Sequence, residues 1–165
     1  MRILLSAVWL IIPLCLHAQE KEVYYLHYGR SKNDTVIYRR EITYDSHRKL
    51  YHVMDFYPDG RQQMDGWYSK FDKTVKEEWS CNYATNRKEG RYRQWWPNGL
   101  PEFEGTFRSG RVNGTDRCWY ENGQLEAQEG RRNGRLNGRV RYWSPAGELQ
   151  DDLRYRNGQN LHPRV

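Results

Sequence analysis

Three consecutive stretches of this chain share one frame of 24 residues: "RYRQWWPNGLPEFEGTFRSGRVNG" from Arg91, "TDRCWYENGQLEAQEGRRNGRLNG" from Thr115 and "RVRYWSPAGELQDDLRYRNGQNL" from Arg139. A chain written this way stacks one supersecondary unit on itself, because a single copy has too little apolar surface to bury alone. Arg93, Arg117 and Arg141 align, as do Trp95, Trp119 and Trp143. Gly99, Gly123 and Gly147 align, then Arg108, Arg132 and Arg156, then Gly110, Gly134 and Gly158, while Gly90, Gly114 and Gly138 mark the boundaries. Turn signals near Asn98-Gly99 and Ser109-Gly110 separate two runs of strand length. Each copy therefore predicts a β-hairpin, and the array an elongated, twisted antiparallel sheet, an all-β fold.

The tips "PNG", "ENG" and "PAG" predict a three-residue loop: a type I turn whose last residue, Gly, takes the left-handed conformation. With Trp96 pairing near Leu100, odd-numbered residues of both strands should then share one face. That face collects Trp95, Pro101, Phe103 and Phe107, then Trp119, Leu125 and Ala127, then Trp143, Leu149, Leu153 and Tyr155. The even face carries Gln94, Glu102, Glu104 and Arg108, interrupted by Tyr92, Trp96, Tyr120 and Tyr142. On this register Trp95, Trp119 and Trp143 form a structural aromatic column, with Arg93, Arg117 and Arg141 positioned to lie over the rings. The competing reading makes the column a groove for an extended peptide or a sugar chain. Trp96 and Tyr120, grouped with Arg108, Arg132 and Arg156 on the polar face, are the candidate binding residues, since aromatic–arginine clusters mark interface hot spots.

Upstream, "FYPDGRQQMDGWY" repeats the aromatic–turn–strand phrase around Gly60, and "EEWSCNYATNRKEG" sets Trp79 on Phe103 and Tyr83 on Phe107. Val23 to Met54 reads as further strands. The organisation expected is a leader over 1–18, N-terminal strands over 19–55 and a repeat region over 56–161, irregular to 89 and regular from 90. Arg2 followed by the apolar run Ile3 to Leu16 and a small residue at Ala18 is the pattern of a secretory signal peptide, and the run is too short to span a membrane. The chain is thus expected to be exported, to the periplasm, the outer-membrane surface or the medium.

Aromatic residues make up 15% of the chain and charged residues 29%, so a thin sheet is affordable and a thick core is not. The net charge is +6, with the basic excess in the late repeats. Such an excess suits nucleic acid in general, but export and the interleaved carboxylates point instead to a solvated face, an anionic lipid surface or an envelope polymer. His27, His47, His52 and His162 lack metal-ligand spacing, and neither a G-x-S-x-G elbow nor a Walker loop occurs. Asp151 and Asp152 should point to opposite faces, which does not suit shared acid–base work. No enzyme activity, metal or cofactor is expected. Cys81 and Cys118, set three strands apart by the repeat frame, should remain unpaired.

The phrase W-(W/Y)-x-(N/A)-G … R-x-G-R-x-N-G resembles the MORN repeat, in the bacterial variant found in YwqK-like antitoxin proteins. The likeness runs from about Phe56 to Leu161 and is strongest from Gly90 to Gly158. It implies a twisted antiparallel sheet without catalytic residues, whose job is to bind another protein or lie against a membrane.

Overall fold

The computed structural model describes residues 21–28, 36–71 and 86–161. Twelve strands account for most of them: β1 (Lys21–Tyr28), β2 (Val36–Asp45), β3 (Leu50–Phe56), β4 (Gln62–Lys70), β5 (Arg87–Trp95), β6 (Pro101–Arg108), β7 (Arg111–Val112), β8 (Gly114–Trp119), β9 (Leu125–Arg132), β10 (Arg135–Trp143), β11 (Leu149–Arg156) and β12 (Gln159–Asn160). They form one open antiparallel sheet whose order follows the chain, with the two-residue β7 attached to β6. This is the meander the repeat predicts, and the stretch from Val23 to Met54 supplies its first three strands. The leader, Cys81 and the copy holding Trp79 and Tyr83 lie outside the described residues.

The tips have the expected loop. Gly60, Gly99, Gly123 and Gly147 have φ of 87°, 87°, 83° and 87°. Each donates its amide to the carbonyl three residues back (Tyr57, Trp96, Tyr120 and Ser144) at 2.8–2.9 Å. One step further from the tip, the register departs from the expectation. Gln94 faces Phe103 but Trp95 faces Pro101, which leaves Glu102 without a counterpart. Gln63, Glu126 and Gln150 are bypassed in the same way in the other three hairpins. Each is a β-bulge, and because side chains alternate with a period of two, one extra residue sends the rest of the strand to the other face.

The odd-face grouping is therefore overturned. Tyr92 lies opposite Gly105 and shares its face with Phe103, Phe107, Cys118, Ala127, Val140 and Leu153. Trp95, Trp119 and Trp143 lie on the other face. None of the three is buried, so they are not the core column predicted from the sequence.

The core is built on the Tyr92 face and concentrated in the first half of the sheet. Ile42, Val53, Met64, Tyr68 and Tyr92 are buried there, with Tyr24, Tyr51, Phe71, Phe103 and Phe107 packed against them. Tyr92 meets Phe107 edge-on, with ring centroids 5.6 Å apart. Its own ring occupies the space above Gly66, where a Cβ would come within 2.5 Å of Tyr92 Cδ2. Inside this apolar layer Arg40 forms a two-pronged ion pair with Asp55, at 2.7 and 2.6 Å, with both residues 2% exposed. Both charges are thus matched by hydrogen bonds, the condition under which a buried pair is tolerated. Further along, the buried apolar residues thin out to Ala127 and Val140.

Hydrogen bonds between units compensate along both ends of the strands. At the tips, Tyr57 Oη donates to the Trp95 carbonyl at 2.7 Å, Trp96 Nε1 to the Trp119 carbonyl at 3.0 Å and Tyr120 Oη to the Trp143 carbonyl at 2.9 Å. Asn98 and Asn122 reach forward to the Glu121 and Pro145 carbonyls. At the opposite ends the bonds run backward. Ser109-Gly110, Asn133-Gly134 and Asn157-Gly158 are two-residue turns with both φ positive, the type I′ form. Their glycine amides donate to the Lys88, Val112 and Leu136 carbonyls, each at 2.8–2.9 Å. The preceding amides are received by the side chains of Glu89, Asn113 and Asn137. The repeated Asn and Gly positions are thereby accounted for as stitching between copies.

Candidate binding face

The face opposite the core is organised by cross-strand pairing. One row of directly opposed residues runs Met54, Asp65, Arg93, Glu104, Arg117, Gln128, Arg141, Asp152. Opposite charges in such positions support the sheet by a few tenths of a kcal/mol to about 1 kcal/mol each. Arg93 bonds Asp65 at 2.8 Å, and the other oxygen of Asp65 lies 2.8 Å from His52 Nε2. The His52 ring is stacked on Trp67 at 4.4 Å. Arg91 takes Glu104 at 2.9 Å, and Arg139 pairs with Asp152. Arg141 donates to the neutral Gln128 amide oxygen at 2.9 Å and stands opposite Asp152, without an ion pair to it among the described residues. Among the described residues Arg117 has neither an ion pair nor a side-chain hydrogen bond. The row thus alternates arginines with acids or a glutamine, and its later arginines, Arg117 and Arg141, lack the direct ion pair that Arg93 has.

Next to this row stand Trp95, Trp119 and Trp143, one per unit on alternate strands, about 10 Å apart. The Arg93 guanidinium lies 5.2 Å from the Trp95 ring centroid and that of Arg141 lies 5.3 Å from Trp143. The arginine–tryptophan stacking anticipated from the spacing is therefore present in two of three units. What changes is its setting, a half-exposed face rather than the core.

The remaining candidates separate. Trp96 and Tyr120 are half-buried at the tips, with their ring N–H and O–H taken up by the stitching bonds described above. Arg108, Arg132 and Arg156 are exposed at the other ends of the strands, roughly 25 Å away at about 3.3 Å per residue. The aromatic–arginine cluster expected of these five residues is not assembled, because the tip residues and the turn residues occupy opposite ends of each strand. Two further arginines join the second group: Arg111 faces Arg108 and Arg135 faces Arg132. The signal for them was present in "RSGR" and "RNGR", where arginine flanks a two-residue turn on both sides. At the first of these turns a cavity of about 510 Å³ opens, lined by Arg48, Trp67, Glu89, Arg91, Phe107 and Arg108 among others.

The strongly perturbed titratable groups of the later units lie on the core face. Asp116 is 4% exposed; burial pushes its carboxyl up to about 6, against the pull of Arg131. Its Oδ1 sits 3.3 Å from Arg131 Nε but accepts no hydrogen bond. Burial, reinforced by Asp116, pushes the Cys118 thiol up to about 12, which leaves it protonated and a poor nucleophile at neutral pH. Cys118 is free; the other cysteine of that expectation, Cys81, lies outside the described residues. Tyr142 is raised by burial and by its 2.5 Å hydrogen bond to Glu129. Asp151 and Asp152 point to opposite faces, the former opposite Tyr142 and the latter on Arg139. Among the described residues no three potential metal ligands converge. No protein-family model, curated protein or solved structure matches the chain.

Proposed function

We propose that this chain is an exported, non-catalytic interaction scaffold that holds a partner protein against the Arg93–Arg117–Arg141 and Trp95–Trp119–Trp143 rows. The observation that carries the reading is the arrangement of that face. It repeats an arginine and a half-exposed tryptophan at each unit, on strands stitched to their neighbours at both ends. Rigid aromatic anchors beside arginines are the composition of interface hot spots, and preorganised strands lower the cost of ordering on binding. The resemblance of the repeat phrase to MORN-type repeats supports the same role, and its YwqK-like form makes a toxin-like protein the first partner to try.

The test uses a photoreactive residue at Gln128 on this face, compared with one at Leu153 on the opposite face. The reading expects one discrete adduct from Gln128 alone, lost in an Arg117→Ala/Trp119→Ala variant that still folds. Adducts of equal yield from both positions, or an adduct that survives the double substitution, would remove the support for this face.

A further inference from the structure

The two-residue turns carry an arrangement that stability alone disfavours. Arg108 faces Arg111 and Arg132 faces Arg135 across successive turns, and Arg156 occupies the corresponding place in the third, opposite Gln159. All five arginines are exposed, and among the described residues none has an ion pair or a side-chain hydrogen bond. Like charges set directly opposite each other destabilise a sheet, and the type I′ turn asks only for the Asn-Gly or Ser-Gly between them. Glu89 stands beside the first turn, but Asn113 and Asn137 take its place at the next two. The positive charge therefore goes unrelieved where the repeat is most regular.

We infer that this edge is a track for a linear acidic polysaccharide, running across the strands over Arg132, Arg135 and Arg156 and reaching the Arg108–Trp67 cavity at its other end. The inference does not rest on the protein-partner reading, which concerns the other ends of the strands. Three features favour a glycan. The guanidinium sites recur about every 10 Å, at two strands per unit, a spacing that suits a polymer with one carboxylate per disaccharide. An extended peptide presents same-side groups only about 7 Å apart. The turn tips Ser109-Gly110, Asn133-Gly134 and Asn157-Gly158 offer no apolar side chain to enter a lipid interface. The aromatic lining residues Trp67 and Phe107 lie at the Arg108 end, so no aromatic recurs from turn to turn to stack successive bases, as single-stranded nucleic acid sites require. A planar guanidinium is in turn suited to two-pronged binding of a carboxylate.

Hyaluronan oligosaccharides of graded length, which carry one carboxylate per disaccharide, are the probe, titrated by calorimetry against the full mature chain. Affinity should climb with length until the oligomer spans about 20 Å, the width from β6 to β11, and then level off. The Arg132→Gln/Arg135→Gln variant should weaken binding roughly tenfold or more and lower the slope of log K against log salt by about two. It should melt no lower than the parent, because it removes an opposed like-charge pair. Arg61→Gln, one charge fewer at the far strand ends, should bind as the parent does. Tighter binding to phosphatidylglycerol vesicles or to single-stranded DNA than to hyaluronan would overturn the proposal. So would binding of neutral chito-oligosaccharides at equal strength, the absence of hyaluronan binding by folded protein, or unchanged affinity in the double variant.

Discussion

Asp116 shows how a single side chain in this sheet can invert the usual pH behaviour of a carboxylate. It is buried opposite a second acid, Glu129, with Arg131 as the one nearby cation, and its folded-state pKa is raised to about 6. An unfolded Asp titrates near 3.9, so between roughly pH 4 and pH 6 the native state holds a proton that the unfolded state has released. The contribution of this group to stability is therefore fully present below about pH 4 and is lost as pH rises through 6. Asp116→Asn removes that dependence. Unfolding free energies of variant and parent from urea titrations should diverge in the variant's favour from pH 4 to pH 7, by on the order of 2–3 kcal/mol. A constant offset across that range would show that Asp116 is solvated like an ordinary surface carboxylate. Asp45, Asp59 and Asp152, all lowered by hydrogen bonds, act in the opposite direction at lower pH.

At the scale of the hairpin, the bulge decides which face is structural. Tyr92, 3% exposed, lies in the core cluster, whereas Trp119 is only half-buried on the far side of the sheet. Tyr92→Ala should then cost about 3–5 kcal/mol, the range for a large buried aromatic, and Trp119→Ala clearly less. Thermal melts of the two variants order them directly, and a Trp119→Ala protein that melts as low as Tyr92→Ala would reverse the faces again. The strands, the tips and the left-handed glycines were legible in the sequence because turn chemistry is local: Asn98-Gly99 needs no distant contact to be recognised. The faces were not, since one unpaired residue per hairpin, at Gln63, Glu102, Glu126 and Gln150, leaves no local mark beyond a polar side chain. The warning lay in the interruptions. Tyr92 and Tyr142 broke the supposedly polar face because that was the buried one. Trp96 and Tyr120 misled for a related reason: nothing in the sequence shows that an indole N–H or a phenol O–H is committed to a carbonyl one unit away. Arg108, Arg132 and Arg156 were found from their spacing alone, while their opposed partners Arg111 and Arg135 emerged only with the turn register.

Across the whole molecule the two halves of the sheet are held by different means. From β2 to β6 the strands share a buried aromatic and aliphatic cluster with the Arg40–Asp55 pair inside it. From β8 onward few apolar residues are buried, and the units depend on ladder pairing, turn-to-strand hydrogen bonds and the Asp116–Glu129–Arg131 group. The last tip also changes character. Ser144 stands where Tyr120 and Trp96 donate forward, and Ala146 where Asn122 and Asn98 do. Neither replacement carries the indole, phenol or amide donor that reaches the next unit in the earlier copies, so the forward stitching bonds of those copies have no counterpart at this tip. In a structure whose units touch mainly their neighbours, stability is close to a sum of local terms, so opening should begin where those terms are smallest. Native-state hydrogen exchange should accordingly give a gradient: amides of β3, β4 and β5 exchange slowest, those of β8 and β9 faster, and those of β10 and β11 fastest. Asn122→Ala removes one forward hydrogen bond to the Pro145 carbonyl and should speed exchange in β10 and β11 while leaving β3 to β5 untouched. Uniform protection from β3 to β11, or an equal acceleration everywhere in the variant, would mean that the sheet unfolds as one cooperative block and that the aromatic half stabilises the stitched half through the whole array.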